Sequence, residues 1–238
     1  MSGRVLPVAI LAGGLATRLQ PLSETIPKAL VDVHGEPFIA HQLGLLRAHG
    51  VDRVVVCAGY LGELIQDVVG DGGRFGLQVE FVFDGPGLLG TGGAIKQAVP
   101  LLGEAFFVLY GDTYLSCDYH AVQTAFERSG RQALMTVFRN EDRWDRSNVE
   151  CVHGRIVAYD KRRPTPRMHH IDYGLGAFNH SAFTIVPSNQ PYDLATLYQY
   201  LLTHGQLAAY EVDQRFYEIG TVEGLEETRR HLAGPGDR

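Results

Sequence analysis

Apolar positions along this chain fall into two alternating patterns, short near-continuous runs and stretches with helical spacing. Residues 5–11, VLPVAIL, form the first run, as expected of a strand covered on both faces. Residues 37–49 follow, with Phe38, Ile39, Leu43, Leu45 and Leu46 on one side of a helix and Gly50 as its stop. The pattern predicts strands over 54–58 and 77–83, with a short helix over 61–69 between them. A helix over 92–99 leads into residues 106–110, FFVLY, the clearest buried strand in the sequence. Residues 121–128 read as helix and 133–138 as strand. This alternation predicts a largely parallel sheet with helices on both faces.

After residue 138 the pattern changes. Residues 149–152 and 156–159, joined through His153 and Gly154, read as a hairpin. Residues 160–166 read as a charged, proline-containing loop. A strand over 171–178, a helix over 194–202 ended by Gly205, and a short strand over 216–219 come next. An amphipathic helix over 222–232 closes the chain, and 234–238 reads as a frayed tail. Without repeats or a separating linker, the expectation is one domain over 1–238.

Composition narrows the partners. Hydrophobic residues are 45% and charged residues 20% of 238, enough for a core and against disorder. A formal charge of −6 and a pI near 5.9 argue against a general nucleic-acid binder, while a local basic pocket for a phosphate ligand stays compatible. Cys57, Cys117 and Cys151 are widely spaced and form no C-x-x-C pair, so neither a disulfide framework nor a zinc site is signalled. The histidines show no H-E-x-x-H spacing. Arg4 and the apolar residues 5–12 have the outline of a short signal peptide, yet the run contains Pro7 and leads directly into a glycine loop. No apolar run approaches the ~18 residues of a membrane span. These features predict a cytoplasmic protein without membrane or nucleic-acid partners; a homo-oligomer is compatible with them.

The first strand runs into Leu11-Ala12-Gly13-Gly14-Leu15-Ala16-Thr17-Arg18-Leu19, with Lys28 further on. A glycine pair at a strand end lets backbone N–H groups approach phosphate and form an anion nest. Arg18 offers a planar fork and Lys28 a point charge. A plain tight turn with two surface cations explains the same residues. The Walker pattern is absent, and G-x-G-x-x-G does not follow this first strand, which removes from it the motif of a kinase-like or dinucleotide-binding protein.

The combined stretch LAGGLATRLQPL…IPKAL, over 11–30, closely resembles the signature of the sugar-1-phosphate nucleotidylyltransferases, LAGG-x-GTRL-x-PLT…PKP. Ala16 stands where a third glycine is usual and Ala29 where proline is common. Later segments resemble the family in order and spacing. Leu89-Gly90-Thr91-Gly92-Gly93-Ala94 is similar to the loop that approaches the nucleoside. Tyr110-Gly111-Asp112-Thr113, at the end of the FFVLY strand, is similar to the GD-x metal site, and Ala158-Tyr159-Asp160-Lys161 to the segment contacting the sugar phosphate. Ile171-Asp172-Tyr173-Gly174 resembles the strand beside the sugar, and Tyr217-Glu218-Ile219-Gly220 the terminal element.

The resemblance implies an α/β, three-layer Rossmann-like nucleotidyltransferase fold, with a mostly parallel central sheet and a small added β region. Residues 1–138 would mainly bind nucleotide and 139–238 the sugar phosphate. It implies a nucleoside triphosphate and a sugar 1-phosphate as substrates and Mg²⁺ as cofactor. Arg18 and Lys28 would be catalytic. Leu11, Ala12, Gly13, Gly14, Thr17, Asp84, Gly90 and Thr91 would bind the nucleotide. Gly111, Asn148, Glu150, Lys161 and Asp172 would bind the sugar phosphate, and Asp112 and Glu218 the metal. Each has a plainer reading beside it: Asp112 and Asp84 as turn residues, Asp160-Lys161 as a solvated charge pair, Glu218 as a helix cap. Ser147 and Asn148 depart from the Tyr-Gly pair common near the sugar, and Glu218 from the usual Asp.

The overall run also resembles heptose and mannose 1-phosphate guanylyltransferases, with uridylyl- and cytidylyltransferases on other sugars as the alternative. Asp84 tilts the base toward guanine, whose two neighbouring donors one carboxylate can accept. A metal-dependent glycosyltransferase is the other enzyme reading, but its usual D-x-D is Gly111-Asp112-Thr113 here. An inactive nucleotide-sugar sensor on the same fold is the non-enzyme reading.

Overall fold

A computed structural model describes residues 4–14, 26–85 and 87–233. In chain order the first strands are β1 (Val8–Ala12), β2 (Asp32–Val33), β3 (Glu36–Pro37), β4 (Arg53–Ala58), β5 (Gln78–Phe83) and β6 (Ala105–Tyr110). They are followed by β7 (Thr113–Tyr114), β8 (Ala133–Arg139), β9 (Val149–Val152), β10 (Arg155–Tyr159), β11 (His170–Asn179), β12 (Leu207–Val212) and β13 (Tyr217–Glu218). The helices are α1 (Phe38–Ala48), α2 (Gly62–Val69), α3 (Gly90–Leu102), α4 (Tyr119–Ser129), α5 (Leu194–Thr203) and α6 (Val222–Leu232).

β1 sits inside a nine-stranded sheet, parallel to β4 on one side and to β6 on the other, and β5 extends it parallel to β4. Successive side chains point to opposite faces, so the run VAILA must satisfy two apolar layers at once. Ile10, Val54, Val56, Phe107 and Leu109 pack with α1, α2 and α4 residues such as Leu43, Ile65 and Val122. Ala9, Val55, Phe106 and Val108 face Ile95 of α3 and Leu197 of α5. That double burial is why the central strands read as continuous apolar runs. The result is a mostly parallel sheet between two helical layers.

β11 is the element that turns this frame into a site. It runs antiparallel between β6 and β8. Its beginning therefore lies at the edge where β1, β4, β5 and β6 end. The hairpin β9–β10 turns through His153 (φ 51°) and Gly154 (φ 72°). Two left-handed residues in succession match the right-handed twist of a two-residue hairpin. The hairpin joins the main sheet at His170 opposite Val149, so the added β region is an extension of it.

Several expectations shift. The first strand begins at Val8, because Pro7 precedes it and only its carbonyl is used, accepting Phe107 N–H at 2.8 Å. α3 starts at Gly90 and carries Pro100 through to Leu102. β12 was not predicted: LAAYEV lacks alternation, and its conformation is imposed by parallel pairing with β8. A small cluster of Val31, Val33, Phe38, Ile219 and Leu225 seats α6 against the β2–β3 hairpin.

Candidate active site

The carboxyl ends of the parallel strands open into a cavity of about 260 Å³. Leu11, Ala12, Gly13, Gly14, Lys28, Asp84, Gly90, Thr91, Gly111 and Asp112, all expected from sequence, line it. Open α/β sheets bind ligands at this edge, where strand ends leave a crevice. The glycines have different reasons. A Cβ on Gly111 would lie 2.5 Å from the Leu11 carbonyl oxygen, and one on Gly13 3.2 Å from Gly59 N, so strand ends meet too closely for side chains. A Cβ on Gly14 would meet nothing within 4 Å among the described residues.

Lys28 and Asp112 meet across this cavity, Nζ donating to Oδ2 at 2.8 Å. Lys28 opens a short 3₁₀ turn, Lys28–Leu30. Asp112 lies in the turn between β6 and β7, and buried Gln42 of α1 braces it. Gln42 Nε2 donates to the carbonyls of Tyr110 at 3.1 Å and Thr113 at 2.7 Å. The Asp112 carbonyl accepts Ile219 N–H at 2.9 Å, and Thr113 pairs with Glu218 between β7 and β13. Residues a hundred positions apart are thus placed side by side by backbone pairing. Asp112 already attracts a cation at the cavity, and a single carboxylate with waters and phosphate oxygens is a donor set that suits Mg²⁺; Glu218 is brought near it by backbone pairing, opposite Thr113, and does not line the cavity.

Asp84 forms part of the wall with Cys57, Leu88 and Ala94. Its Oδ2 accepts Leu89 N–H at 3.2 Å, closing the turn that leads into α3. Burial raises the Asp84 carboxyl above its ordinary value, and the Leu89 bond offsets part of this. Burial, helped by Asp84, pushes the Cys57 thiol up to about 12. The glycine loop serves packing as well as the cavity. Gly92 and Gly93 N–H both donate to Tyr192 O, at 2.8 and 3.1 Å, while Thr91 accepts Leu194 N–H at 2.8 Å. The first turn of α3 is therefore tied to the start of α5.

A second cluster lies beyond Tyr110. Lys161 Nζ is 3.1 Å from Asp172 Oδ2 and donates to Tyr110 Oη at 3.2 Å. Tyr159 Oη donates to Asp172 Oδ2 at 3.3 Å, and Asp172 Oδ1 accepts Gly174 N–H at 3.2 Å. The Asp172 side chain is 2% exposed and that of Lys161 38%. Burial works against the Lys161 charge, but the Asp172 carboxylate and the Tyr110 bond outweigh it and hold its pKa well above the usual lysine range. Asn148 Oδ1 accepts Asp172 N–H at 2.9 Å, which fixes β11 at this point. Glu150 pairs with Arg167 at 3.2 Å. Ser147 is buried in its own loop, bonded to Asp142 and Asn140. Asp160 caps backbone N–H groups of Arg162 and Arg163 at 2.8 and 2.9 Å.

Sequence reading gave Tyr110 no role beyond its place before Gly111 and Asp112, and it missed Gln42. A tyrosine ending the apolar run FFVLY, and a glutamine on the apolar side of a helix, were the available signals. Arg18 and Thr17 lie outside the described residues.

Fold and cavity together define a Rossmann-like α/β protein with a glycine-lined, charged site at the carboxyl edge of its sheet. The family profile described as Nucleotidyl transferase matches residues 8–233. The chain belongs to this nucleotidyl transferase family. It is 41% identical over 118 residues to N-acetylmuramate alpha-1-phosphate uridylyltransferase of Neisseria meningitidis, covering 49% of this chain and 51% of that one. It is 29% identical over 231 residues to UTP–glucose-1-phosphate uridylyltransferase of Synechocystis, covering 90% and 60%. With mannose-1-phosphate guanylyltransferase of Mycobacterium tuberculosis it shares 28% over 229 residues, covering 94% and 63%. The chain spans from about half to just under two thirds of the length of these relatives. Among solved structures, HddC from Yersinia pseudotuberculosis complexed with GMP-PN aligns with a TM-score of 0.77 at 25% identity, covering 96% of this chain and 100% of that one. A Bacillus anthracis chain crystallised with sucrose shares the fold at a TM-score of 0.84 and 19% identity, covering 95% and 94%.

Proposed function

We propose that this chain is a sugar-1-phosphate nucleotidylyltransferase, joining a nucleoside triphosphate to a sugar 1-phosphate and releasing pyrophosphate. One observation carries the reading: the Lys28–Asp112 cavity and the Lys161–Asp172 cluster share a wall, Tyr110. Residues 1–138 would hold the nucleotide and 139–238 the sugar phosphate. A phosphate oxygen of the sugar attacks the α-phosphorus in line, and pyrophosphate leaves. Phosphate is a competent nucleophile, so positioning and charge neutralisation suffice. Gly13 and Gly14 admit the phosphates, Lys28 neutralises charge on the leaving side, a role the family signature also gives Arg18, and Lys161 holds the acceptor phosphate. Asp112 and Glu218 would hold Mg²⁺, which neutralises triphosphate charge when bound.

For the base, the proposal is guanine, supported by the Asp84 carboxylate in the cavity wall and by the guanylyltransferase relatives. The sugar proposed is of the heptose or mannose type. Uracil is the second reading, favoured by the 41% identity to a uridylyltransferase. Pyrophosphate release, measured across GTP, UTP, CTP and dTTP with a panel of sugar 1-phosphates, tests all three levels. GTP with a manno-configured sugar is expected to be fastest; preference for another nucleotide overturns the base, and no release with any pair overturns the activity. Lys28→Ala is expected to lower kcat/KM by about 10²–10³-fold, as for other preorganised charges. Activity within twofold of wild type would remove Lys28 from the reaction.

A further inference from the structure

Resting on that reading, we propose that Tyr110 is a positioning residue: its hydroxyl and ring fix the Lys161 ammonium, and so set where the acceptor phosphate sits relative to the nucleotide. Tyr110 ends β6, whose preceding residues Phe106 to Leu109 are wholly apolar and buried. A phenylalanine would fill the same volume there without taking a hydroxyl out of water, a costly step unless that group is bonded. Among the described residues, the hydroxyl has one hydrogen-bond partner, Lys161 Nζ at 3.2 Å. The same ammonium lies 4.8 Å from the centroid of the Tyr110 ring, within cation–π range, and 6.0 Å from that of Tyr159. The phenolic oxygen gives Lys161 a neutral acceptor, while the counter-charge comes from Asp172.

Lys161 is thus held on two sides. Asp172 supplies the charge, and Tyr110 fixes the direction. This matters because Lys161 stands on a charged, exposed loop, where a four-carbon side chain otherwise samples many rotamers. Tyr110 also lines the Gly13–Asp112 cavity, so the residue that orients Lys161 is a wall of the nucleotide pocket. Its backbone is fixed too, since its carbonyl accepts both Gln42 Nε2 at 3.1 Å and Thr113 Oγ1 at 3.0 Å. One residue therefore sets the spacing between the two half-sites, and in-line attack depends on that spacing.

Tyr110→Phe removes only the hydroxyl, and Tyr110→Leu removes the ring as well. The expected result is a KM for sugar 1-phosphate raised at least fivefold by Tyr110→Phe and further by Tyr110→Leu. KM for the nucleotide and the melting temperature of the Phe variant should stay close to wild type. A second readout does not require turnover: titration of Lys161 by NMR after reductive ¹³C-methylation, with the resonance assigned by Lys161→Arg. Its pKa should fall in Tyr110→Phe, because the charged form has lost an acceptor. An unchanged sugar-phosphate KM, an equal rise in both KM values, or an unchanged Lys161 titration overturns the proposal. If the wild-type chain releases no pyrophosphate with any pair, the enzymatic reading fails while the titration still decides whether Tyr110 holds Lys161.

Discussion

Asp84 carries a charge that its surroundings disfavour. Burial raises its pKa in the folded state, so its ionisation opposes folding above the ordinary carboxylate range and not below it. Asp84→Asn keeps an oxygen for Leu89 N–H and removes the charge. Its melting temperature should exceed that of wild type near neutral pH, and the gain should fade as pH falls toward about 4. If the carboxylate reads guanine, the same variant loses its preference for GTP over UTP, a stability gain offset by lost function. Melting curves at several pH values and nucleotide competition check both halves. Gln42 is the converse case, a polar side chain 1% exposed that holds two backbone carbonyls of the Asp112 turn. Gln42→Leu leaves the Thr113 carbonyl without that donor and is expected to cost about 1–3 kcal/mol in urea unfolding. Its position on an apolar helix face marked it as unusual in the sequence, but nothing there named the carbonyls it meets.

At the scale of elements, the site depends on strand ends brought closer than side chains allow. Gly111 N–H donates to Leu11 O at 2.9 Å, which locks the end of β6 to that of β1 just before Asp112. Gly111→Ala must push the two apart, and overpacking of this kind costs about 1–3 kcal/mol. Because the displaced segment carries Asp112, the loss of kcat should exceed what the fraction of folded protein explains. Circular dichroism melts and active-site-normalised rates separate the two effects. Gly14→Ala, which meets nothing within 4 Å among the described residues, is the contrasting variant and should leave stability unchanged within about 0.5 kcal/mol. The β11 strand shows the same dependence on pairing. Its register shifts between Asp172 and Gly176, with Gly174 at φ 101°, and this irregularity places Asp172 beside Lys161.

Across the whole molecule, the two apolar layers hold two of the three thiols out of reach. Cys57 and Cys117 are buried, and burial raises both thiols to about 12. Cys151, on the β9 hairpin strand, is half-buried, and its thiol is also raised, by burial first and then by Glu211. Since the thiolate is the reactive form, an aromatic disulfide reagent near pH 8 should label Cys151 slowly and leave the other two unmodified. Unfolding in guanidinium should expose all three at one rate. Fast labelling of Cys57 in the native protein would contradict the packing of the cavity wall described above.

The amino-acid pattern alone determined the alternation of strands and helices and the parallel core, because these are local in sequence. The cavity residues 11–14, 28, 84, 90–91 and 111–112 were legible through the family signature they resemble, most of them at the ends or starts of those elements. The long-range pairings were settled only by tertiary structure. β12 carries no alternation and takes its shape from β8; β11 inserts antiparallel between β6 and β8; and Glu218 comes beside Asp112 through two-residue strands too short to have a period. The Lys161–Asp172–Tyr110 cluster belongs with these. The family resemblance assigned Lys161 and Asp172 to the sugar phosphate, while Tyr110 read as the end of a core strand. Their shared role arises from the Lys161–Tyr110 hydrogen bond, which spans 51 residues of chain, and from the Lys161–Asp172 ion pair between the loop and β11.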